Sequence, residues 1–294
     1  MNHLIHYFRQ EKIFFNYKNI NPSFGGWGGY MNKKIAIIGG GNLGVAIAEG
    51  LIKSNFTLPE HIIITKRNIT TLTDIESKGV LVTNDNKEAV KYADLVVLAV
   101  KPFQIKEVVL GIQDELNSQK HVLVSVVTGV LIKDIQEWVG DAMPIIRAMP
   151  NTAIAIQESM TCLCSKNTTQ DQLDYVHDLF SQLGRVALID EKLMDAATVL
   201  GACGIAYALR YIRASIQGGI EIGFDAKTAT LIAAQTANGA AELLIQKGTH
   251  PEAEIDKVTT PRGCTIAGLN EMEHRGFSSS LIRGIKTSFE SIGG

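Results

Sequence analysis

Short runs of aliphatic residues alternate along residues 34–189 with longer segments in which apolar residues recur at helical spacing. The first aliphatic run, residues 34–38 (KIAII), is followed by residues 42–54, where apolar side chains recur every three or four positions. Unbroken runs of β-branched residues, rather than alternating ones, indicate strands that are covered on both faces. Strand followed by helix, repeated, predicts an α/β fold of the Rossmann-like class, with a doubly wound and mainly parallel sheet.

The same pattern places the remaining strands and the end of the sheet. The predicted strands are residues 61–65, 80–83, 94–100, 122–127, 145–149, 161–164 (TCLC) and 185–189. A helix over residues 169–183 precedes Gly184, which we interpret as a left-handed cap. These features place the first domain over residues 31–190.

After residue 190 the pattern changes to long helical stretches without a strand signal. Helices are predicted over residues 193–222 and 226–247, and two more between residues 265 and 292. Residues 191–294 are therefore predicted to be an all-helical second domain. This part is rich in Ala and Gly, and small residues let helices approach closely, which favours an oligomer interface. The alternative is a helical bundle that folds by itself.

The first thirty residues differ from the rest. Residues 1–30 are rich in Asn, aromatic residues and Gly, and show no clean period. They lack the continuous apolar segment and the small-residue cleavage site of a secretory signal. Met31 stands directly before the first predicted strand. We therefore expect residues 1–30 to lie outside the fold and Met31 to be the functional start.

Composition narrows the classes of function. The 294 residues carry a formal charge of −2 and are 46% hydrophobic, so the chain can form a core and has no overall charge that would attract nucleic acid or an anionic membrane. The longest uncharged stretch of the apolar C-terminal region, residues 196–209, is shorter than the roughly 20 residues that cross a bilayer, so no membrane span is predicted. Four cysteines make no disulfide framework, and no His pair has zinc spacing, so we expect buried or half-buried thiols, no metal and a cytoplasmic location.

A glycine-rich turn follows the first strand and opens the first helix. The pattern G-x-G-x-x-G is met by Gly39, Gly40, Gly41, Asn42, Leu43 and Gly44, directly after Ile38. In such a motif the first glycine permits the tight turn, the second lets the backbone approach a pyrophosphate, and the third allows close packing of helix and strand. The helix N-terminus then offers free N–H groups to the phosphates. A purely structural turn is the alternative.

The tip of the second predicted strand carries Thr65, Lys66 and Arg67. An NAD site usually has an Asp or Glu about 20 residues after the glycine-rich turn, where it binds the ribose hydroxyls. No carboxylate stands at this tip, and one hydroxyl with two cations suits a 2′-phosphate. The pattern therefore favours NADPH, with NADH as a weaker alternative. A solvated basic turn is the other interpretation, since Lys and Arg are common at strand ends.

Further candidate cofactor residues follow the fourth and fifth strands. Ligands of a doubly wound sheet lie beyond the carboxyl ends of its strands. The residues at these two ends are Ala99, Val100, Lys101 and Pro102, and Val126, Val127 and Thr128. Pro102 stiffens its turn, and Lys101 is placed to face ribose or phosphate.

A second unusual segment, residues 258–269, reads VTTPRGCTIAGL. Thr260 and Pro261 predict a turn, and Gly263 to Thr265 would be the first residues of a helix. Successive backbone N–H groups at such a position bind a carboxylate, and Thr265 adds a hydroxyl. The alternative is a capped helix start with a proline turn and no ligand.

From Met31 onward the chain resembles the pyrroline-5-carboxylate reductase family. The matching motifs are residues 39–44, 99–102 (AVKP), 148–152 (AMPNT), 235–236 with 239–241, and 260–269 followed by Glu273 and residues 276–277. The last motif is the most diagnostic, and its family pattern is Ser/Thr-Pro-Gly-Gly-x-Thr. The resemblance implies NADPH-dependent hydride transfer to the C=N carbon of 1-pyrroline-5-carboxylate, which gives L-proline in the last step of proline biosynthesis.

The resemblance also implies roles for individual residues. Gly263 and Cys264 would bind the substrate carboxylate through their amides, with Thr260 and Val258 in the same substrate loop. Thr265 would be the catalytic contact to the imine nitrogen, and Asn86 would lie near the adenosine. The family further implies homodimers built by interlocked C-terminal helices, and larger rings. His250 and His274 are interpreted as ordinary surface residues.

Three departures from the family pattern stand out. Arg262 replaces the first loop glycine, residues 202–206 read ACGIA where the family has GSGPA, and Ala153 replaces a proline. One alternative is a β-hydroxyacid dehydrogenase, which would carry a catalytic Lys on the interdomain helix, whereas residues 194–223 contain no Lys. Another NADP-dependent imine reductase and a non-enzymatic NADP-binding sensor are the remaining alternatives.

Overall fold

The computed structural model describes residues 33–292. The expectations that residues 1–30 form a separate extension and that Met31 is the functional start concern residues outside this range. We call residues 33–190 the sheet half and residues 191–292 the helical half.

One sheet of eight strands forms the centre of the sheet half. Its strands are β1 (Ile35–Ile38), β2 (Ile62–Thr65), β3 (Leu81–Thr83), β4 (Leu95–Leu98), β5 (Val122–Ser125), β6 (Ile145–Met149), β7 (Ser159–Lys166) and β8 (Gly184–Leu188). The strand order is β3-β2-β1-β4-β5-β6-β7-β8, and every neighbouring pair is parallel except β6 with β7. The prediction of a doubly wound, mainly parallel sheet is confirmed.

Helices cover both faces of this sheet. They are α1 (Asn42–Lys53), α2 (Thr73–Glu76), α3 (Asn86–Tyr92), α4 (Ile105–Ile112), α5 (Ile132–Val139) and α6 (Gln170–Ser181). All residues of β1, β2, β4, β5 and β6 are buried, as their unbroken aliphatic runs predict. Two buried apolar clusters, one on each face of the sheet, form the core of this half.

The predicted fourth strand is longer than the one that forms. β4 ends at Leu98, two residues before the predicted end at residue 100. The Ala99 amide still donates to Ile38 O over 2.8 Å, and then the chain leaves the sheet. Residues 99–102 are therefore free to form a rim beyond the carboxyl ends of β1 and β4.

The prediction that Gly184 caps the preceding helix was wrong. α6 ends at Ser181 and is capped by Gln182 in a right-handed conformation, and Gly184 is the first residue of β8. A glycine is required there for a different reason, since its φ is +142° and a Cβ would lie 2.0 Å from the carbonyl oxygen of Ser159. Close approach of β7 and β8, rather than the end of a helix, determines the residue.

The helical half contains no strand among its described residues. It begins with a helical run, Glu191–Glu221, in which α7 (Met194–Ala197) and α8 (Gly204–Glu221) flank a π-helical turn, Thr198–Cys203. The remaining helices are α9 (Ala226–Lys247), α10 (Pro251–Lys257), α11 (Cys264–His274) and α12 (Phe277–Glu290). α10 was missing from the prediction, although Pro251 at its first position and the capping His250 are local signals of a helix start.

The predicted bounds of α9 are confirmed, and its ends show why. Asp225 accepts hydrogen bonds from the amides of Lys227 and Thr228, and Gly248 closes the helix in a left-handed conformation. Hydrogen bonding with Thr228 lowers the pKa of the Asp225 carboxyl, which keeps the cap ionised. Both ends are local, so the sequence alone predicts them.

Few apolar side chains of the helical half are buried. Among its described residues the buried hydrophobic ones are Met194, Val199, Ile216 and Ala229. Large exposed ones include Leu200, Leu209, Ile222, Leu231, Ile232, Leu243, Val258, Phe277, Ile282 and Phe289. A folded chain that leaves so much apolar surface uncovered has a surface for a further partner.

By length and composition alone, one helical run of the described chain, Glu191–Glu221, would suffice to cross a membrane. This differs from the expectation drawn from the uncharged residues 196–209, because the helix continues past Arg210 and Arg213. The run is 17% buried over its apolar window, so it belongs to the uncovered apolar surface of the helical half.

Buried polar contacts join the two halves at Glu191. Its Oε1 accepts from Nη1 of Arg147 in β6 over 2.9 Å and from the amide of Ile132 over 2.7 Å. Arg147 is 2% exposed, so Glu191 supplies the countercharge of a buried guanidinium. A second link is Asn151 Nδ2, which donates to Gly201 O in the π-helical turn over 3.3 Å.

Candidate active site

The glycine-rich turn lies at the carboxyl ends of β1 and β4, where the strand order reverses. The amides of Gly39 and Gly40 both donate to Thr65 O at the end of β2, over 3.2 and 2.7 Å. Gly39 has a φ of +118°, and a Cβ there would lie 2.4 Å from Ala99 O. Only glycine fits between these neighbouring strand ends, so the prediction that Gly39 permits the tight turn is borne out by the geometry.

The other two glycines of the motif differ sharply in their surroundings. A Cβ on Gly44 would lie 2.2 Å from Gly39 O and 3.0 Å from the Ile37 side chain, so helix α1 packs directly on the turn and on β1. Around Gly41 nothing lies within 4 Å of a Cβ position. The backbone of Gly41 therefore faces open space, which a phosphate group can enter.

The N-terminus of α1 is free to bind an anion. Its capping residue is Gly41, which supplies no side-chain hydrogen bond, and no acidic residue stands in the first turn, which begins with Asn42 and Leu43. The first N–H groups of a helix have no acceptor inside the helix, and the helix dipole favours negative charge there. This end of α1 has the properties of a pyrophosphate site.

A basic edge lies beyond the carboxyl end of β2. The Lys66 amide donates to Thr83 O over 3.1 Å, which brings the ends of β2 and β3 together. Lys66 is half-buried and Arg67 exposed, and neither forms a salt bridge with an acidic residue of the described chain. Two cations without a countercharge suit a doubly charged group such as a phosphate monoester.

Two predicted cofactor residues at this edge, Thr65 and Asn86, differ in their exposure to solvent. Thr65 is almost entirely buried, and its recorded contribution to the turn is the carbonyl that accepts from Gly39 and Gly40. Asn86 is the first residue of α3, after the capping Asp85, and is half-exposed. The structure therefore leaves Lys66, Arg67 and Asn86 accessible beyond the carboxyl ends of β2 and β3.

The loops after β4 and β5 lie at the same edge of the sheet, beyond the carboxyl ends of these two strands. Ala99 and Val100 are half-buried, Lys101, Pro102 and Thr128 are exposed, and Val126 and Val127 are buried. Phe103 follows Pro102 and is 83% exposed. The sequence interpretation overlooked it, although a large aromatic residue in a polar turn next to a cofactor motif is a usable signal.

The second predicted site is a turn between α10 and α11. The Gly263 amide donates to Thr260 O over 2.9 Å, and a Cβ on Gly263 would lie 2.6 Å from Thr260 Oγ1. The turn expected at Thr260 and Pro261 is present, and α11 begins at Cys264 with Gly263 as its cap. Cys264 and Thr265 are exposed in the first turn of this helix.

This turn also has the features of an anion site. Gly263 provides no side-chain cap, and no acidic residue stands in the first turn of α11. The Thr265 hydroxyl makes no recorded hydrogen bond within the described chain. Val258, 63% exposed, lies at the edge of the same turn. Free amides, a free hydroxyl and an apolar contact surface are suited to a small ring that carries a carboxylate.

The two sites belong to different halves of the chain. Apart from the contacts of Asp190 with Lys192 and Leu193 at the boundary itself, the polar contacts between the described halves involve Glu191, Gly201 and Glu242, all outside the turn at residues 258–265. The contacts that join the two halves involve Arg147, Glu191 and Asn151, and the sequence did not predict them. Glu191 lies 44 positions from Arg147 in sequence, so no local pattern could have paired them.

The four thiols are free and differ in burial. Burial raises the pKa of Cys162, and burial together with the nearby Glu191 charge raises the pKa of Cys164 to about 11. Cys203 is half-buried, and Cys264 is exposed at the start of α11. The expectation of buried or half-buried thiols was therefore wrong for Cys264.

Two family models match the chain, and together they span most of the described residues. The model described as pyrroline-5-carboxylate reductase dimerisation matches residues 191–292. The model described as NADP oxidoreductase, coenzyme F420-dependent, matches residues 34–129.

Known relatives resemble the chain over almost its whole described length. The pyrroline-5-carboxylate reductase 2 of Dictyostelium discoideum is 41% identical over 275 residues, which is 88% of this chain and 92% of that protein. The pyrroline-5-carboxylate reductase 1 of the same organism is 46% identical over 266 residues, and the match spans 86% of this chain but 48% of that longer protein.

A solved structure shows the same architecture. It is the crystal structure of Plasmodium falciparum pyrroline carboxylate reductase with NADP bound, which superimposes with a TM-score of 0.81 at 27% identity. The match covers 90% of this chain and 98% of that one, so both the sheet half and the helical half have counterparts there.

Proposed function

The chain belongs to the pyrroline-5-carboxylate reductase family and reduces the C=N bond of 1-pyrroline-5-carboxylate to give L-proline. We propose that NADPH is the hydride donor and binds to the sheet half, and that the turn at residues 258–265 binds the substrate. The observation that carries this assignment is that two helices with uncapped N-termini each begin beside one of the sequence motifs. α1 opens beside a glycine-rich turn, and α11 opens beside Thr265.

The residues at the sheet edge fit a phosphorylated dinucleotide. Open space at Gly41 and the uncapped start of α1 accommodate a pyrophosphate. Lys66 and Arg67, which have no recorded countercharge, would bind the 2′-phosphate that distinguishes NADPH from NADH. Asn86, Ala99 and Pro102 would contact the sugars and bases, since they lie beyond the carboxyl ends of the strands.

The protein's part in the chemistry is to bind and orient. When bound, the reduced nicotinamide supplies the hydride that adds to the C=N carbon. The Cys264 amide at the start of α11 would hold the carboxylate, whereas the Gly263 amide donates to Thr260 O and so closes the turn. The Thr265 hydroxyl would hold the ring nitrogen. A protonated imine is already electrophilic, so this arrangement needs no strong acid.

Self-association follows from the helical half. The family model that matches residues 191–292 describes a dimerisation region. Most of the exposed large apolar side chains of the described chain lie in this region. A homodimer built through these helices would cover that surface, and larger homo-oligomers would extend it. We take Asp190 as the boundary between an NADP-binding domain and a substrate-binding and dimerisation domain. Free thiols are in keeping with a cytoplasmic location.

The test of the proposed function is NADPH oxidation at 340 nm with 1-pyrroline-5-carboxylate. We expect substrate-dependent oxidation, with proline as the product. A Gly41→Ala variant is the matched control: its Cβ meets no atom within 4 Å, so the fold should be retained while the methyl group obstructs the phosphate position. Oxidation no faster than the background would favour a non-enzymatic NADP-binding protein instead.

The cofactor assignment has its own test. Replacing Lys66 and Arg67 together by Ala should raise the KM for NADPH on the order of tenfold to a hundredfold, because two charge-assisted contacts to phosphate are lost. The KM for NADH should change less than twofold. An NADPH-to-NADH preference equal to that of the wild type would show that these residues form only a solvated turn.

A further inference from the structure

The substrate turn carries one charged side chain. From residue 258 to residue 270 the only charged residue is Arg262. It is exposed, and within the described chain it forms no recorded hydrogen bond or ion pair. The neighbouring cations Lys257 and Arg275 are already paired, with Glu254 and Glu271. Arg262 is therefore the available positive charge at this turn.

The backbone at Arg262 is in the left-handed region, with a φ of +61°. Glycine adopts this conformation freely, whereas a residue with a Cβ adopts it only at a cost. The turn requires it, since the Gly263 amide closes back onto Thr260 O over 2.9 Å. The chain thus keeps a glycine-type turn and places an arginine at its tip.

Arg262 precedes the free amides of α11 by two positions. The capping Gly263 has no side chain, and the helix starts at Cys264 without an acidic residue in its first turn. The guanidinium and the positive end of the helix are therefore contributed by neighbouring residues of one turn, and both attract an anion. A planar guanidinium can bind a carboxylate through two parallel hydrogen bonds.

Building on the proposed function, we propose that Arg262 is a specificity-determining residue whose guanidinium binds the carboxylate of 1-pyrroline-5-carboxylate together with the amides at the start of α11. Arg262 then strengthens substrate binding and takes no part in hydride transfer. Its effect should appear in the KM for the imine and leave kcat and the KM for NADPH nearly unchanged.

The test is Arg262→Gly, which removes the guanidinium and relieves the backbone at the same time. We expect the KM for 1-pyrroline-5-carboxylate to rise about tenfold, since one charge-assisted contact is lost. We expect kcat and the KM for NADPH to stay within twofold, and the melting temperature to stay equal or to rise. Because the variant should be no less stable, a weaker affinity cannot be explained by unfolding.

Two further variants serve as controls. Asn55→Gly relieves an exposed left-handed residue of the sheet half, with a φ of +58°, and should leave the KM for the imine unchanged. Arg262→Lys keeps the charge but not the paired hydrogen bonds, so its KM should fall between those of the wild type and Arg262→Gly.

An unchanged KM for the imine in Arg262→Gly would overturn the role of Arg262, as would an equal rise in the KM for NADPH. Neither result would affect the proposed function, which is tested separately by the activity of the wild-type enzyme. A wild-type enzyme that does not reduce 1-pyrroline-5-carboxylate would overturn both.

Discussion

The two halves of this molecule differ in how much of their apolar surface they bury within one chain. The sheet half covers both faces of its sheet with its own helices, and whole strands such as β1 and β4 are buried. The helical half buries four hydrophobic side chains among its described residues and exposes many larger ones. The sheet half is complete within one chain, whereas the helical half is complete only after association.

This difference follows from geometry. A parallel sheet buries continuous aliphatic strands as soon as helices lie on both sides. A few helices in sequence can bury only the stripe that faces a neighbour, and α11 and α12 bury no residue at all. The candidate substrate turn lies in the half that depends on a partner, so assembly and substrate binding are expected to be linked.

The largest effect is expected from a charge in the exposed apolar surface of the helical half. Leu231 on α9 is 70% exposed, and Leu231→Glu should weaken self-association by at least about 3 kcal/mol, because a buried carboxylate would lack a partner. Activity should fall with it. The matched control is Leu110→Glu on α4 of the sheet half, where the leucine is 41% exposed. Light scattering after size exclusion measures both, and an identical oligomeric state in the two variants would contradict the comparison.

A second effect should separate the tasks of the halves. Thr265→Ala removes the hydroxyl proposed to hold the ring nitrogen, and kcat should fall on the order of tenfold to a hundredfold. The KM for NADPH should stay nearly constant, because the cofactor is assigned to the sheet half. Steady-state kinetics measures this, with Thr265→Ser as the control that retains the hydroxyl. If kcat were unchanged, Thr265 would have no catalytic role.

A third, smaller effect concerns the joint between the halves. Glu191→Gln removes the charge that pairs with the buried Arg147, and should lower the free energy of unfolding by about 1–3 kcal/mol. The same substitution at Glu271, whose pair with Arg275 is exposed, should cost less than about 0.5 kcal/mol. Urea unfolding compares the two. Equal losses would show that burial at the joint is unimportant.

The smallest effect is a difference in thiol reactivity. Alkylation requires the thiolate, and burial raises the pKa of Cys164 to about 11, so little thiolate forms there near pH 8. The exposed Cys264 should therefore react with iodoacetamide well before the buried Cys164. Mass spectrometry of a time course resolves the sites. Faster labelling of Cys164 would contradict the burial seen in the sheet half.

Much of the fold could be predicted from local patterns. The glycine-rich turn, the bounds of α9 and the aliphatic strands are all encoded by neighbouring residues, through backbone conformation, capping and periodicity. The family motifs likewise depend on short spacings, and they pointed to a reductase of this type. The candidate residues at both helix N-termini were therefore accessible without coordinates.

Other features depended on contacts between distant residues. Gly184 looks like a helix cap in sequence but is required because Ser159 lies against it. Arg147 and Glu191 form a buried pair across the two halves, and Thr65 turns out to be almost entirely buried. The exposed Leu231 and Cys264 could not be distinguished by sequence from buried residues of the same types.

By itself, then, the sequence determined the strand-turn-helix unit at Gly39, the helical character after Asp190 and the motif at Thr260, since each is specified by residues close together in the chain. Only the tertiary structure decided which apolar residues remain uncovered and which buried charge meets which. Those outcomes depend on how distant segments approach one another, and no local pattern records that distance.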